Sequence, residues 1–468
     1  MSEIEYICLS DLHLGAYNSL LTYTDKDAHT DPSKSSQGLL HLVKVLEKII
    51  TLVNKKKKAR IILNGDIFEL ALANTNEAAM SFDVFLQSLF DSNKKQTFSD
   101  KFIYIPGNHD HHLWETARER QFLEYMEKIP PGKLINIPWH HTKMIKPTPL
   151  KSRFITTLIR RHKNLNKGRA LVVYPNLCLV DRKTEKYVVI THGHFIESIY
   201  RLMSRLQSIL LPGKTLPDTI DKIERENFAW IDFFWSVLGR SGGVGESIGI
   251  MYDMLQDQNS LEELANNLFT HLMKGGKIPP AFQSMLKPVL NFITAWFVGY
   301  IATHERGLTN ELLGNDAKTG LSWYIECPLR LQFLQENKAG LPRNMTFVFG
   351  HTHKPFCEKS KAFLASGYPA EIGLMNTGGW VVDTIRPQPQ FGGSAVLIDE
   401  EKNAVLVRLY NETNHKIRFE SVDSSEKNPL LKKILDKVDV TSDVFRDFSE
   451  AMQEEIQLKR KVIQKRIE

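Results

Sequence analysis

Five short polar clusters in this 468-residue chain hold residue types that could bind metal ions and move protons. They are Asp11-Leu12-His13, Gly65-Asp66, Gly107-Asn108-His109-Asp110, His192-Gly193-His194 and Gly350-His351-Thr352-His353. Gathered in one place, their carboxylates, imidazoles and amide oxygen make a nitrogen and oxygen donor set. Such a set suits Mn²⁺, Fe or Zn²⁺ and not a soft thiolate metal. Taken singly, Asp-x-His and Gly-Asp read as turns or helix caps, and a lone histidine pair reads as structural. All five in the same local setting point instead to one metal-dependent site.

That setting is an apolar run directly before each cluster: YICLS, RIILN, FIYIP, YVVIT and TFVF. These runs predict strands at 6–9, 61–63, 102–105, 187–190 and 346–349, with further strands at 171–173, 395–398 and 404–409. Residues 41–53 carry apolar side chains at helical spacing, so the first part of the chain alternates strand and helix and implies a layered α/β sheet. Each cluster then falls at the carboxyl end of a strand, where ligands collect in open α/β sheets. The glycines fit, because strand-to-loop junctions demand sharp turns and close backbone approach.

The order DLH, GD, GNHD, HG, GHTH resembles the calcineurin-like metallophosphoesterases over about 1–195 and 345–410. The resemblance implies an α/β fold, a layered β-sandwich flanked by helices, with a large helical insertion. It also implies two divalent metal ions, Mn first, with Fe or Zn as alternatives. Asp11, His13 and His353 would hold one, Asn108, His192 and His351 the other, and Asp66 would bridge them. Metals so bridged lie about 3.5–4 Å apart and share a water of depressed pKa, whose hydroxide attacks phosphorus in line. His109 would protonate or stabilise the leaving oxygen, and Glu69 would orient that imidazole and favour its protonated form. Asp110 is expected to brace its loop, and Asn376-Thr377-Gly378-Gly379-Trp380 resembles a supporting N-T-G turn of the family. His194, two residues after His192, is a candidate to support that ligand, and His111, His112, His140 and His141 stand outside the site.

The expected organisation is a discontinuous core at 1–195 and 345–420, a helical insertion at 196–344 and a charged helical C-terminal tail at 421–468. Breaks in the insertion are predicted at 211–217 (LPGKTLP) and 239–245 (GRSGGVG). Its most apolar run, 289–302, is shorter than the roughly 20 residues that span a bilayer and is read as a buried or interfacial helix. From 143 to 169, Lys146, Lys151, Arg153, Arg160, Arg161, Lys163 and Lys167 occur without an Asp or Glu.

These features frame the substrate. The expected activity is hydrolysis of a phosphodiester or phosphomonoester. SDLHLG and GDIFEL resemble a bacterial branch that includes UDP-2,3-diacylglucosamine hydrolases, which makes pyrophosphate hydrolysis of a nucleotide-linked lipid precursor an alternative. That branch carries arginine where this chain has His109, and its lid is shorter. A non-catalytic scaffold on the same fold is the reading from another class, set against the intact donor set. The partner expected is a phosphate-ester substrate, with peripheral membrane or lipid contact through the insertion. Nucleic acid is not favoured, because the insertion lacks interleaved aromatic and basic residues.

Bulk composition is that of a folded globular chain. A net charge of +6 and a pI near 8.8 suit phosphate-bearing or anionic partners. Cys8, Cys178, Cys327 and Cys357 have no CxxC spacing, so neither a disulfide framework nor a thiolate zinc site is indicated. The N-terminus MSEIEYICLS does not read as a signal peptide, and a cytoplasmic location is expected.

Overall fold

The computed structural model describes residues 3–91, 96–148, 150–211, 213–233 and 311–467. The run at 239–245 and the apolar stretch at 289–302 lie outside the described residues.

In chain order the strands are β1 (Ile4–Leu9), β2 (Thr22–Thr24), β3 (Thr30–Ser35), β4 (Arg60–Asn64), β5 (Lys101–Ile105), β6 (Leu150–Lys151), β7 (Arg169–Val172), β8 (Asn176–Asp181), β9 (Lys186–Thr191), β10 (Asn344–Phe349), β11 (Phe356–Ser360), β12 (Ile372–Asn376), β13 (Gly392–Asp399), β14 (Ala404–Asn411) and β15 (Arg418–Glu420). One sheet runs β15-β14-β13-β1-β4-β5-β7-β6, a second runs β11-β12-β10-β9-β8, and β2-β3 form a small ribbon. β1, β4, β5 and β7 are mutually parallel, as are β9, β10 and β12. Five strands that precede the polar clusters thus present their carboxyl ends to one region.

Side-chain alternation explains the layering, since successive residues of a strand point to opposite faces. Cys8, Ile62, Ile103 and Ile105 of the first sheet meet Val188, Ile190, Val348 and Met375 of the second in one buried layer. Their neighbours Ile7, Leu9, Ile61 and Leu63 face the other way, toward the helices. α1 (Gln37–Val53) and α2 (Thr75–Leu89) cover that outer face. α1 buries Leu39, Leu42, Leu46, Ile49 and Val53 and is capped by Ser36, whose side chain accepts from Leu39 N–H. α3 (His112–Met126) and α4 (Arg153–Arg160) follow at the far edge of the sheet.

Between β9 and β10 the described chain is helical: α5 (Leu202–Leu210), α6 (Ile220–Ile231), then Asn315–Tyr324 and Arg330–Glu336 joined by a π-helical turn at Ile325–Leu329. No strand occurs among the described residues of 196–343. Gly320 comes so near Ile196 that an added Cβ would sit 1.6 Å from its carbonyl oxygen. The C-terminal helix Asp443–Ile467 is helical and charged as expected, but it is not peripheral. Phe445, Phe448, Met452, Ile456 and Ile463 join the main core, and the helix lies along α1. Among the described residues no helix is long and apolar enough to cross a membrane.

Candidate metal centre

The strand-end loops are held in conformations that L-residues seldom adopt. Asp11, His13, Asp66, His351 and His353 all have φ between 45° and 70°. Such left-handed residues cost of order 1–3 kcal/mol each and persist where surrounding structure over-determines them. Here the backbone supplies that constraint: Asp11 N–H donates to Gly65 O (3.0 Å), and His13 N–H to Asp66 O (2.9 Å). His351 N–H donates to the Asp11 carboxylate (3.0 Å). Two glycines make room. A Cβ on Gly107 would stand 2.2 Å from Asp66 Oδ1, and one on Gly65, itself at φ +79°, would stand 2.3 Å from His192 Nδ1.

The structure brings all seven expected ligands and both expected acid-base residues to this place, each buried. Asp11, His13 and His353 each bring a donor atom within 4.8 Å of the others', and Asp66, His192 and His351 do the same. Asp66 stands between the two groups: its Oδ2 is 3.8 Å from His13 Nε2 and 3.3 Å from His192 Nε2. Asn108 Oδ1 is 3.1 Å from the same His192 nitrogen.

The ring orientations fit metal binding. A metal-ligating histidine usually donates its other N–H to a carboxylate or carbonyl, which fixes tautomer and direction. His13 Nδ1 donates to Glu69 (2.8 Å), His192 Nδ1 to Asn64 O (3.1 Å) and His353 Nδ1 to Asp383 (2.5 Å), and His351 Nε2 stands 2.9 Å from Glu197 Oε1 as an ion-pair contact. In His13 and His353 the remaining Nε2 is buried and makes no hydrogen bond, which suits a nitrogen reserved for a cation. His353 Nε2 lies 3.4 Å from Asp11.

Burial opposes the charge on Asp66, but His192 and His109 outweigh it and hold the carboxyl well below its ordinary range. Burial likewise opposes protonation of His192, yet Asp66 and Asp11 push it up to about 9.

His109 lies in the same cleft. Its backbone N–H donates to Asp66 Oδ1 (2.9 Å), its Nδ1 donates to Glu69 Oε1 (2.8 Å), and its ring meets His13 edge-on at 4.7 Å. Glu69 is therefore no exposed helix-start acid. Its two oxygens take one histidine each, while Ala71 and Leu72 N–H groups donate to Oε1. Burial resists its ionisation, and the two histidines still hold it well below the usual carboxylate range.

Support residues complete the site. Asp110 accepts from the N–H groups of Gly107, Ile67 and Phe68, so it ties the β4 loop to the β5 loop. Asn376 Nδ2 donates to Gly350 O and Thr352 Oγ1, and Trp380 N–H to Asp11 O (2.9 Å). Glu197 and Asp383 were not singled out from sequence; each is a solitary acid with no motif around it. His194 is buried against Tyr174, whose hydroxyl lies 3.0 Å from its Nε2. His111 is fully buried as well, between Tyr174 and Glu224 of α6, whereas His112, His140 and His141 are only half-buried.

A two-sheet sandwich with these donors at converging strand ends is the framework of a metal-dependent hydrolase. The calcineurin-like phosphoesterase family model matches residues 5–211, a domain that makes this chain a phosphoesterase hydrolase. The match includes Asp11, His13, Asp66, Asn108, His109 and His192; the fold adds His351, His353 and Asp383 from beyond it. No curated protein matches the chain.

Proposed function

We propose that the protein hydrolyses a phosphodiester or phosphomonoester with two divalent cations held at this centre, and that Asp66 bridges them. The observation that carries the reading is the position of Asp66 between two complete donor groups, with His109 alongside. Asp11, His13 and His353 would hold one cation and Asn108, His192 and His351 the other. When bound, two such ions supply a hydroxide nucleophile from water at neutral pH and positive charge toward the phosphoryl oxygens.

The chain's own contribution is placement and proton transfer. Glu69 fixes His109 through Nδ1, so Nε2 is the nitrogen that faces the cleft and carries the proton to the leaving oxygen. Asp66 accepts the His109 backbone N–H and so sets the distance between the acid and the metal donors. The catalytic unit is discontinuous, formed by 1–195 and 345–420, with 196–344 inserted between His192 and His351.

Monoesters, diesters and nucleotide-linked pyrophosphates assayed with Mn²⁺ test the reading. Turnover of a chromogenic diester or monoester supports it, and inertness across the panel with metal bound contradicts it. Detergent-stimulated cleavage of a lipid-linked pyrophosphate would narrow it to the lipid-precursor alternative.

A further inference from the structure

The loop between α3 and β6 exposes apolar side chains that a water-facing loop has no reason to hold out. Leu134 is 85 % exposed, Ile137 65 %, Ile135 49 % and Trp139 40 %. No other six-residue stretch among the described residues gathers so many exposed large apolar side chains.

The loop is nonetheless anchored. The Trp139 ring meets Tyr125 edge-on at 5.1 Å and Phe122 at 6.3 Å, and Asn136 Nδ2 donates to Tyr125 Oη (3.0 Å). Its turn is set by Pro130, Pro131 and Gly132, the last at φ +81° with open space around it. The base is pinned to α3, and the tip residues Leu134, Ile135 and Ile137 project instead of folding back.

The chain segment that carries the tip has charge of one sign. From 128 to 180 the chain has no Asp or Glu. Lys128, Lys133, Lys143, Lys146, Lys151 and Arg153 are all exposed. Lys151 and Arg153 line a cleft with Arg120 and Leu123 of α3, the helix that anchors the loop. The same cleft also holds Glu119 and Glu124 of α3 and Glu127 just beyond it, with Glu124 paired with Arg120 (3.0 Å).

An exposed apolar tip on an acid-free segment rich in exposed lysines fits one kind of occupant. Apolar residues sink into the boundary between headgroups and acyl chains while lysines and arginines meet anionic headgroups. A protein partner would be expected to find a concave surface or its own acidic complement, and the tip projects from the fold. We infer that the 132–139 loop, with Lys133, Lys151 and Arg153, docks the protein on an anionic lipid bilayer. This surface is separate from the insertion, and it does not depend on the hydrolytic reading above.

Flotation of the full chain with phosphatidylcholine vesicles, with and without phosphatidylglycerol, tests it. The expected result is binding that requires phosphatidylglycerol and weakens with salt. The Leu134→Asp/Ile137→Asp variant should bind about tenfold more weakly or worse at an unchanged thermal midpoint, because both side chains are already in water. Lys133→Glu/Lys151→Glu should remove the preference for phosphatidylglycerol. The inference is overturned if the wild-type chain ignores anionic vesicles, or if the double aspartate variant binds them equally. It is also overturned if light scattering shows that variant breaking a self-association in a protein that binds no vesicles; the occupant would then be a second copy.

Discussion

The two halves of the centre are braced by different parts of the chain. In the half formed by Asp11, His13 and His353, the bracing carboxylates Glu69 and Asp383 come from the first and last portions of the chain, both outside the insertion. In the half formed by Asn108, His192 and His351, one brace is the Asn64 carbonyl and the other is Glu197, at the very start of the segment between β9 and β10. Among the described residues the insertion meets the site at His351, through Glu197 (2.9 Å) and through the Tyr200 ring, edge-on at 5.1 Å. Asp66 Oδ2 reaches toward both halves, 3.8 Å from His13 Nε2 and 3.3 Å from His192 Nε2.

Asp66→Asn should therefore have the largest effect. It weakens both donor groups at once, and turnover should fall by about 10³-fold or more together with loss of bound metal. Metal content measured beside turnover checks this; a variant that keeps full metal and activity would show that the halves do not meet at Asp66.

His109→Ala should separate chemistry from metal binding. Metal content should stay at the wild-type level while kcat falls about 10²-fold or more on an alkyl ester, and less on an aryl ester whose leaving group needs no proton. Equal activity of variant and wild type on the alkyl ester would remove the acid role.

The bracing carboxylates tell the two halves apart. Glu197→Gln and Asp383→Asn should each lower metal affinity or activity by about 10–100-fold. The first should weaken one metal site and the second the other, which a metal titration resolves as loss of different binding steps. Identical titration curves for the two variants would mean that the halves are not separately braced.

The smallest expected effect concerns stability. His111 is buried against Glu224 and near Asp232 of the insertion, with His112 and Arg118 also close. Burial opposes its charge, but Glu224 and Asp232 push its pKa up to about 9. Because the folded value lies above the ordinary one, this stabilisation is complete below about pH 6.5 and is lost as pH rises through about 9. Urea unfolding should show a loss of about 1–3 kcal/mol across that window, and His111→Gln should flatten it. An unchanged pH profile in the variant would assign the dependence to other groups.

The strand-end donors were legible in the sequence because each combines a glycine or acid turn with an apolar run directly before it. Periodicity of two also shows why Cys8 and Ile62 face one layer while Ile7 and Ile61 face the other. Glu197 and Asp383 carry no such signal, since a lone carboxylate becomes a brace only once the fold sets an imidazole nitrogen beside it. His111 read as one of several loop histidines, and only the packing of α6 over α3 makes it a buried partner of Glu224. The C-terminal helix was legible as charged and helical, but its apolar stripe from Phe445 to Ile463 has meaning only against α1. Lys459, buried there with its Nζ donating to Thr22 O (2.7 Å), has its pKa pushed by burial down to about 7.

Metal stoichiometry of the Mn²⁺-reconstituted protein, read with its turnover of a chromogenic phosphodiester, tests whether two cations at this centre drive the hydrolysis. Two metal ions per chain and hydrolysis that disappears with chelation are the expected result. A folded protein that takes up no metal and stays inert with Mn²⁺ would contradict it.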